Sequence, residues 1–191
     1  AAFFDPDNDG DLDLVQTNGF LPGEPLPPDD PFSDRTVLWL NDGTGRFTEA
    51  GQEAGIVDRA RGQAVVVFDY DRDGDEDLFI TNSYHTPVLY RNDTVSGNNW
   101  LRVALEGTVS NRDAVGARVV VTAEEGGISQ LRELSPANGY LSQHESVLHF
   151  GIGRHTGPVH EVRIRWPSGI ETVLNDVATK RVLRVTEVDD G

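Results

Sequence analysis

The chain has 191 residues, with 32 Asp and Glu against 16 Lys and Arg for a formal charge of −16, and it contains neither Cys nor Met. Lacking a basic excess, it has neither the phosphate-neutralising contacts that dominate nucleic-acid affinity nor an attraction to anionic lipid. Lacking cysteine, it has no disulfide scaffold, thiolate zinc site or cysteine nucleophile, although this leaves the redox compartment open.

The charge is uneven. Residues 1–98 carry 20 acids and 6 bases, whereas residues 99–191 carry 12 and 10. That asymmetry predicts two domains, 1–98 and 99–191, each of ordinary module size. The chain opens without Met on AAFFDPDND, which is expected of a mature or truncated piece and makes the absence of a signal peptide uninformative. The longest apolar run, AVVVF at 64–68, is strand-sized and far short of the roughly 18 residues of a spanning helix.

The first element is an acidic segment, FFDPDNDGDLDLVQTN at 3–18, which returns 64 residues later as VFDYDRDGDEDLFITN at 67–82. Each copy leads to a second echo, TVLWLNDG at 36–43 and PVLYRNDT at 87–94. Between Asn18 and Asn41 the first copy holds surplus residues, GFLPGEPLPPDDPFSD, whose prolines predict a loop inserted between two strands. NDGTGRF at 41–47 reads as a Gly-rich hairpin turn without a ligand role.

Within the repeat, carboxylates alternate around a glycine: Asp5, Asp7, Asp9, Asp11 and Asp13 around Gly10, then Asp69, Asp71, Asp73, Asp75 and Asp77 around Gly74. At separations near 6 Å each like-charged pair costs about 0.7 kcal/mol even at the dielectric constant of water. Several such pairs disfavour closing the loop unless a cation is present. Ca²⁺ takes six to eight oxygens in flexible geometry, and glycine at the sixth position permits the turn that wraps one ion. Mg²⁺ resists dehydration by an all-protein cage. The alternative of solvated acidic turns is disfavoured by two copies in one frame. An EF-hand needs Glu at position twelve, where Gln16 and Ile80 stand, and the flanking VVVF and DLFIT are strand-like rather than helical.

The order of apolar strand, DxDxDGxxD, second strand and LYxND resembles the FG-GAP or VCBS repeats of integrin-like β-propellers. That resemblance implies side-chain ligands Asp5, Asp7, Asp9 and Asp13 in one calcium site and Asp69, Asp71, Asp73 and Asp77 in the other, with carbonyls from Asp11 and Asp75. It also implies an incomplete propeller of about two blades, since a closed one has at least four, with upstream blades expected outside this chain.

From residue 99 onward, short alternating stretches predict strands at 100–107, 116–123, 128–134, 145–153, 161–166, 171–174 and 180–188. They predict an all-β second domain, sandwich-like, anchored by Trp100, Phe150 and Trp166. NWLRVALEG with SNRDAVGARV, NGYLSQHE with LHFGIG, and VRIRWPSG resemble the ASPIC/UnbV domain in sequence and order. The pairing with calcium-type repeats is that of the cartilage acidic protein family. It implies calcium-binding proteins that are extracellular, periplasmic or at the cell surface, and supplies no catalytic residues.

Other residue patterns carry weaker chemical signals. His144, His149, His155 and His160 fall within 17 residues, but not at a compact ligand spacing. Ser142 and His144 lack a nucleophile elbow. Arg102, Arg163, Arg165 and Arg184 read as the solvated side of a sheet, with a shared basic face as the alternative. Asn92-Asp93-Thr94 is a glycosylation sequon by pattern. The expected function is therefore calcium-dependent binding or adhesion toward an extracellular protein or glycan, with no enzymatic activity. The alternatives are an enzyme or biosynthetic accessory protein using the four-His region, and a carbohydrate-binding module using Tyr84, Tyr90 and Tyr140.

Overall fold

The computed structural model describes residues 1–18, 35–135 and 139–189, so the proline-rich stretch 19–34 lies outside the described residues. Two compact units divide the chain. One comprises Ala1–Pro6, Asp11–Thr94 and Ala137–His144; the other comprises Asp7–Gly10, Val95–Pro136 and Glu145–Gly191. Among the described residues, every regular element is a β-strand.

In the first unit, β1 (Ala2–Phe4), β2 (Asp13–Gln16), β3 (Val37–Asn41) and β4 (Phe47–Glu49) form an antiparallel sheet in chain order. A second antiparallel sheet follows the same rule with β5 (Gly62–Phe68), β6 (Asp77–Asn82) and β7 (Val88–Tyr90). Period-two burial explains why these segments form sheets. Ala2, Phe4, Val15 and Leu38 of the first sheet are buried together with Val65, Val67, Leu78 and Ile80 of the second in one apolar cluster. The registers agree across the repeat: Phe4 faces Asp13, and Phe68 faces Asp77, so each acidic segment spans the β-turn of an equivalent strand pair.

In the second unit, β8 (Trp100–Glu106), β11 (Val147–Gly151) and β14 (Val182–Thr186) make one sheet in the order β11-β8-β14, with β8 and β14 parallel. The other sheet has the order β10-β9-β12-β13, from β9 (Arg118–Thr122), β10 (Ser129–Glu133), β12 (Val159–Arg165) and β13 (Glu171–Val177). Leu101, Val103 and Phe150 of the first of these sheets share a core with Val119, Val121, Val162 and Ile164 of the other, closed by Trp166. Trp100 does not anchor this core. It alternates with Leu101 along β8 and is only half-buried.

The four arginines do not share one face. Arg163 and Arg165 are exposed on β12, where Arg163 pairs with Glu161 and Glu171, and Arg118 on the adjoining strand pairs with Glu133. Arg102, by contrast, is buried and paired with Glu145.

A buried carboxylate ties the end of the second unit. Glu187 is 2% exposed and accepts the N–H groups of Thr108, Val109 and Ser110 and the hydroxyls of Ser110 and Ser168. Burial pushes its carboxyl up, but the Ser168 and Ser110 hydroxyls and the backbone donors outweigh burial and hold it at about 2. A carboxyl depressed in the folded state contributes its full stabilisation above its ordinary value of 4.5, and loses it as pH falls through about 2. Glu187→Gln should therefore lower the melting temperature at neutral pH, and the gap to the unsubstituted chain should narrow as melts are taken at progressively lower pH below 4.5. A gap independent of pH would contradict this assignment.

Candidate metal centre

The two acidic loops share one backbone path. Asn8 and Gly10 sit at φ 60° and 100°, and Arg72 and Gly74, at the same repeat positions, sit at 66° and 100°. Left-handed conformations at a non-glycine residue and at a glycine two places on curl each loop tightly, which is why glycine stands there. This path gathers the alternating carboxylates. Oxygens of Asp5, Asp7 and Asp9 lie within 4.8 Å of one another, as do oxygens of Asp69, Asp71 and Asp77. At that separation each ionised pair repels by about 0.9 kcal/mol in water and by more where it is buried. Asp5 and Asp77 are each only 1% exposed.

Asp13 and Asp77, which begin the second strand of each loop, also hold the fold. Asp13 Oδ1 accepts the Asn41 N–H at 2.6 Å, and Asp77 Oδ1 accepts the Asn92 N–H at 2.7 Å. Asp77 Oδ2 accepts the Tyr70 N–H at 2.7 Å. The two asparagines return the contact through their amides, Asn41 to the Leu12 carbonyl and Asn92 to the Glu76 carbonyl, both at 3.3 Å. Asn92 reaches the Pro6 carbonyl as well, at 2.6 Å, and the Asp5 N–H donates to Glu76 at 2.8 Å, so the start of the first acidic segment is bonded directly to the second. Burial pushes the Asp77 carboxyl up. The Asn92 and Tyr70 N–H groups pull it down, while the charges of Asp71 and Asp73 raise it further.

The remaining predicted residues take different places. Asp11 sets its carboxylate against Gly43, where any side chain would collide with it. Asp73 is exposed and caps the Asp75 N–H, and Asp75 is half-buried. Residues 41–47 form the β3–β4 hairpin turn, closed by the Asp42 N–H on Arg46 and by Asp42 Oδ1 on Thr44. An all-oxygen, carboxylate-rich donor set matches a hard divalent cation, and Ca²⁺ in particular tolerates such irregular geometry.

Three of the four histidine side chains are engaged with separate groups, and for His160 the bonded group is the backbone N–H. His144 Nδ1 accepts the Val67 N–H, His149 Nε2 meets Asn8 Oδ1, and His155 contacts Glu124 and the Pro158 carbonyl. His160 donates its backbone N–H to Ala123. Tyr84 and Tyr140 are exposed, but Tyr90 packs on the core and its hydroxyl accepts the Asp58 N–H, so the three tyrosines are not equivalent exposed aromatics. In the sequon, the Asn92 amide nitrogen that would carry a glycan is already bonded to Pro6 and Glu76. Asn41 and Asn92 carry no charge and so do not stand out in the charge pattern. Their signal was the LND and RND echo behind each acidic segment.

Residues 5–80 match the family described as FG-GAP-like repeat, and residues 107–191 match the family described as ASPIC and UnbV. The chain is 36% identical over 131 residues to cartilage acidic protein 1 of Mus musculus and 35% identical over 131 residues to that of Homo sapiens. It is 36% identical over 112 residues to that of Xenopus tropicalis. The matched regions cover 67%, 67% and 57% of this chain but 20%, 19% and 17% of those proteins. The chain therefore spans about a fifth of the length of the curated relatives it matches.

The geometry separates a buried acid that holds backbone of two other segments, Asp77, from an exposed acid with one local backbone contact, Asp73. In metal-free protein, Asp77→Ala should cost about 1–3 kcal/mol, because it strips two backbone donors of their acceptor. Asp73→Asn should change stability by less than about 0.5 kcal/mol, as for an exposed surface substitution. Urea denaturation in chelator measures both, and equal losses would contradict the distinction.

Proposed function

We propose that this chain, which joins FG-GAP-like repeat sequence to an ASPIC and UnbV domain and is a relative of cartilage acidic protein 1, is a calcium-binding module acting in binding or adhesion. The single observation that carries this reading is the repeated loop: two copies, one backbone path, and three carboxylates converging within 4.8 Å in each. Asp5, Asp7, Asp9 and Asp13 would hold one ion and Asp69, Asp71, Asp73 and Asp77 the other, with the Asp11 and Asp75 carbonyls completing the sets. A carboxylate has about four lone-pair sites, so Asp13 and Asp77 can keep their backbone partners while serving as ligands. When bound, calcium would add positive charge among these carboxylates, beyond that of Arg91, which lies 4.0 Å from Asp71 in the second loop.

In the same reading, residues 1–98 are an incomplete propeller. Its support is that each sheet of the first unit runs in chain order, as propeller blades do. Residues 99–191 are a sandwich-like ASPIC/UnbV domain, supported by two sheets sharing one core. The setting is extracellular, periplasmic or at the cell surface, and the partner is an extracellular protein or glycan. The chain's own residues order the loops. The left-handed residues set the curl, Asp13 and Asp77 fix where the second strand begins, and Asn41 and Asn92 lock the following strand against the loop. Binding rather than catalysis is the role that this arrangement supports, since the imidazoles of His144, His149 and His155 are each engaged with a different neighbour.

Thermal melts in calcium and in chelator test the reading. At ten times the dissociation constant each site should add about 1.4 kcal/mol, a shift of several degrees for a unit of this size. An Asp71→Asn, Asp73→Asn variant should keep only the first loop's share. If calcium moves neither melting temperature the metal assignment is wrong, and an equal shift in both proteins excludes the second loop.

A further inference from the structure

Asn8, at the fourth position of the first loop, is held by groups that lie far away in the sequence. It is 2% exposed, and its Oδ1 meets His149 Nε2 at 2.7 Å. Its carbonyl accepts the Gly153 N–H at 2.9 Å, and the carbonyl of the preceding Asp7 accepts the Asn98 amide at 2.9 Å. A side chain at Gly10 would run into the Gln130 amide and the Gly151 carbonyl. These residues all belong to the second unit, which includes Asp7–Gly10.

His149 stands on β11 directly opposite Arg102 of β8 and is 6% exposed. Burial above all, with the charges of Arg102 and Arg132, pushes its imidazole down to about 3, so the ring is neutral at physiological pH. With an amide oxygen as partner, Nε2 carries the proton and donates it, while Nδ1 is buried without a hydrogen-bond partner. A neutral donor fixes Asn8 between Asp7 and Asp9 without adding positive charge beside a group that would take a cation. The corresponding residue of the second loop, Arg72, has nearly the same φ of 66° but is exposed, as is its neighbour Asp71.

We propose that His149 is a positioning residue for the first acidic loop and makes it the tighter of the two cation sites; this rests on the calcium reading above. Asp7 and Asp9 repel each other across Asn8, and the loop must keep a left-handed residue between them to present both carboxylates. Holding that residue in advance removes an ordering cost that the second loop has to meet on binding. Groups that orient ligands without touching the metal commonly change metal affinity by about 10- to 100-fold when removed.

Calorimetric titration of the chelator-treated full chain with calcium chloride tests this in single-loop backgrounds. Asp71→Asn, Asp73→Asn isolates the first loop, and Asp7→Asn, Asp9→Asn isolates the second. The first loop should bind more tightly. His149→Phe should weaken the first loop roughly 10-fold and leave the second unchanged, while His149→Gln, which keeps an N–H donor, should recover most of the loss. Asn8→Gly tolerates the positive φ but has no side-chain oxygen, so it should reproduce the His149→Phe effect and decides the matter if that variant does not fold. Unchanged first-loop affinity in the folded variants, equal weakening of both loops, or a second loop as tight as the first would each overturn the proposal. Absence of calcium binding by the unsubstituted chain would overturn the calcium reading, and this inference with it.

Discussion

Carboxylates held closer together than their charges favour are the constraint around which the two acidic segments are arranged. Each loop brings three oxygens within 4.8 Å, and Arg72 of the second is the one base within either nine-residue window. The surrounding strands supply the restraint. Equivalent registers place Asp13 and Asp77 at the strand starts, left-handed residues set the curl, and an apolar cluster behind both sheets keeps the loops from spreading. Hydrophobic burial thus holds an electrostatically unfavourable arrangement in place.

The second unit makes the opposite use of a buried acid. Glu187 is surrounded by backbone N–H groups and hydroxyls that favour its charge, and its carboxyl is held at about 2. Asp77 has two backbone donors as well, but burial and the neighbouring Asp71 and Asp73 move it upward. One acid is satisfied by the polypeptide alone, whereas the other sits where added positive charge would be stabilising. The fold thereby distinguishes a structural carboxylate from a candidate ligand on physical grounds, although both are deeply buried. His149 shows the same economy of charge: a neutral ring meets Asn8 where a cationic side chain would compete with a cation for the neighbouring aspartates.

Much of the strand content was legible because alternation survives wherever one face is buried. Seven strand-like stretches after residue 99 coincide with β8 to β14, and AVVVF lies within β5. Alternation could not say which face of β8 meets the core, so Trp100 was expected inside although Leu101 and Val103 occupy that face. Arginine is usually solvated, which is the sequence expectation for Arg102. Its burial depends on Glu145, 43 residues away, and no local pattern records that pairing. The acidic loops were legible as charge arithmetic: eleven of the 20 acids before residue 99 lie in two nine-residue windows. What sequence alone withheld was their support, since Asn41, Asn92 and His149 act through backbone or side-chain contacts that only the folded chain brings together.

The formal charge of −16 is therefore largely a local property of two loops, and the account stands or falls on whether those loops take up calcium. Equilibrium dialysis of the chain against radiolabelled calcium, with excess monovalent salt to suppress diffuse counterion binding, measures this directly. The predicted result is saturation at two ions per chain. No retained calcium at millimolar free ion would contradict the account.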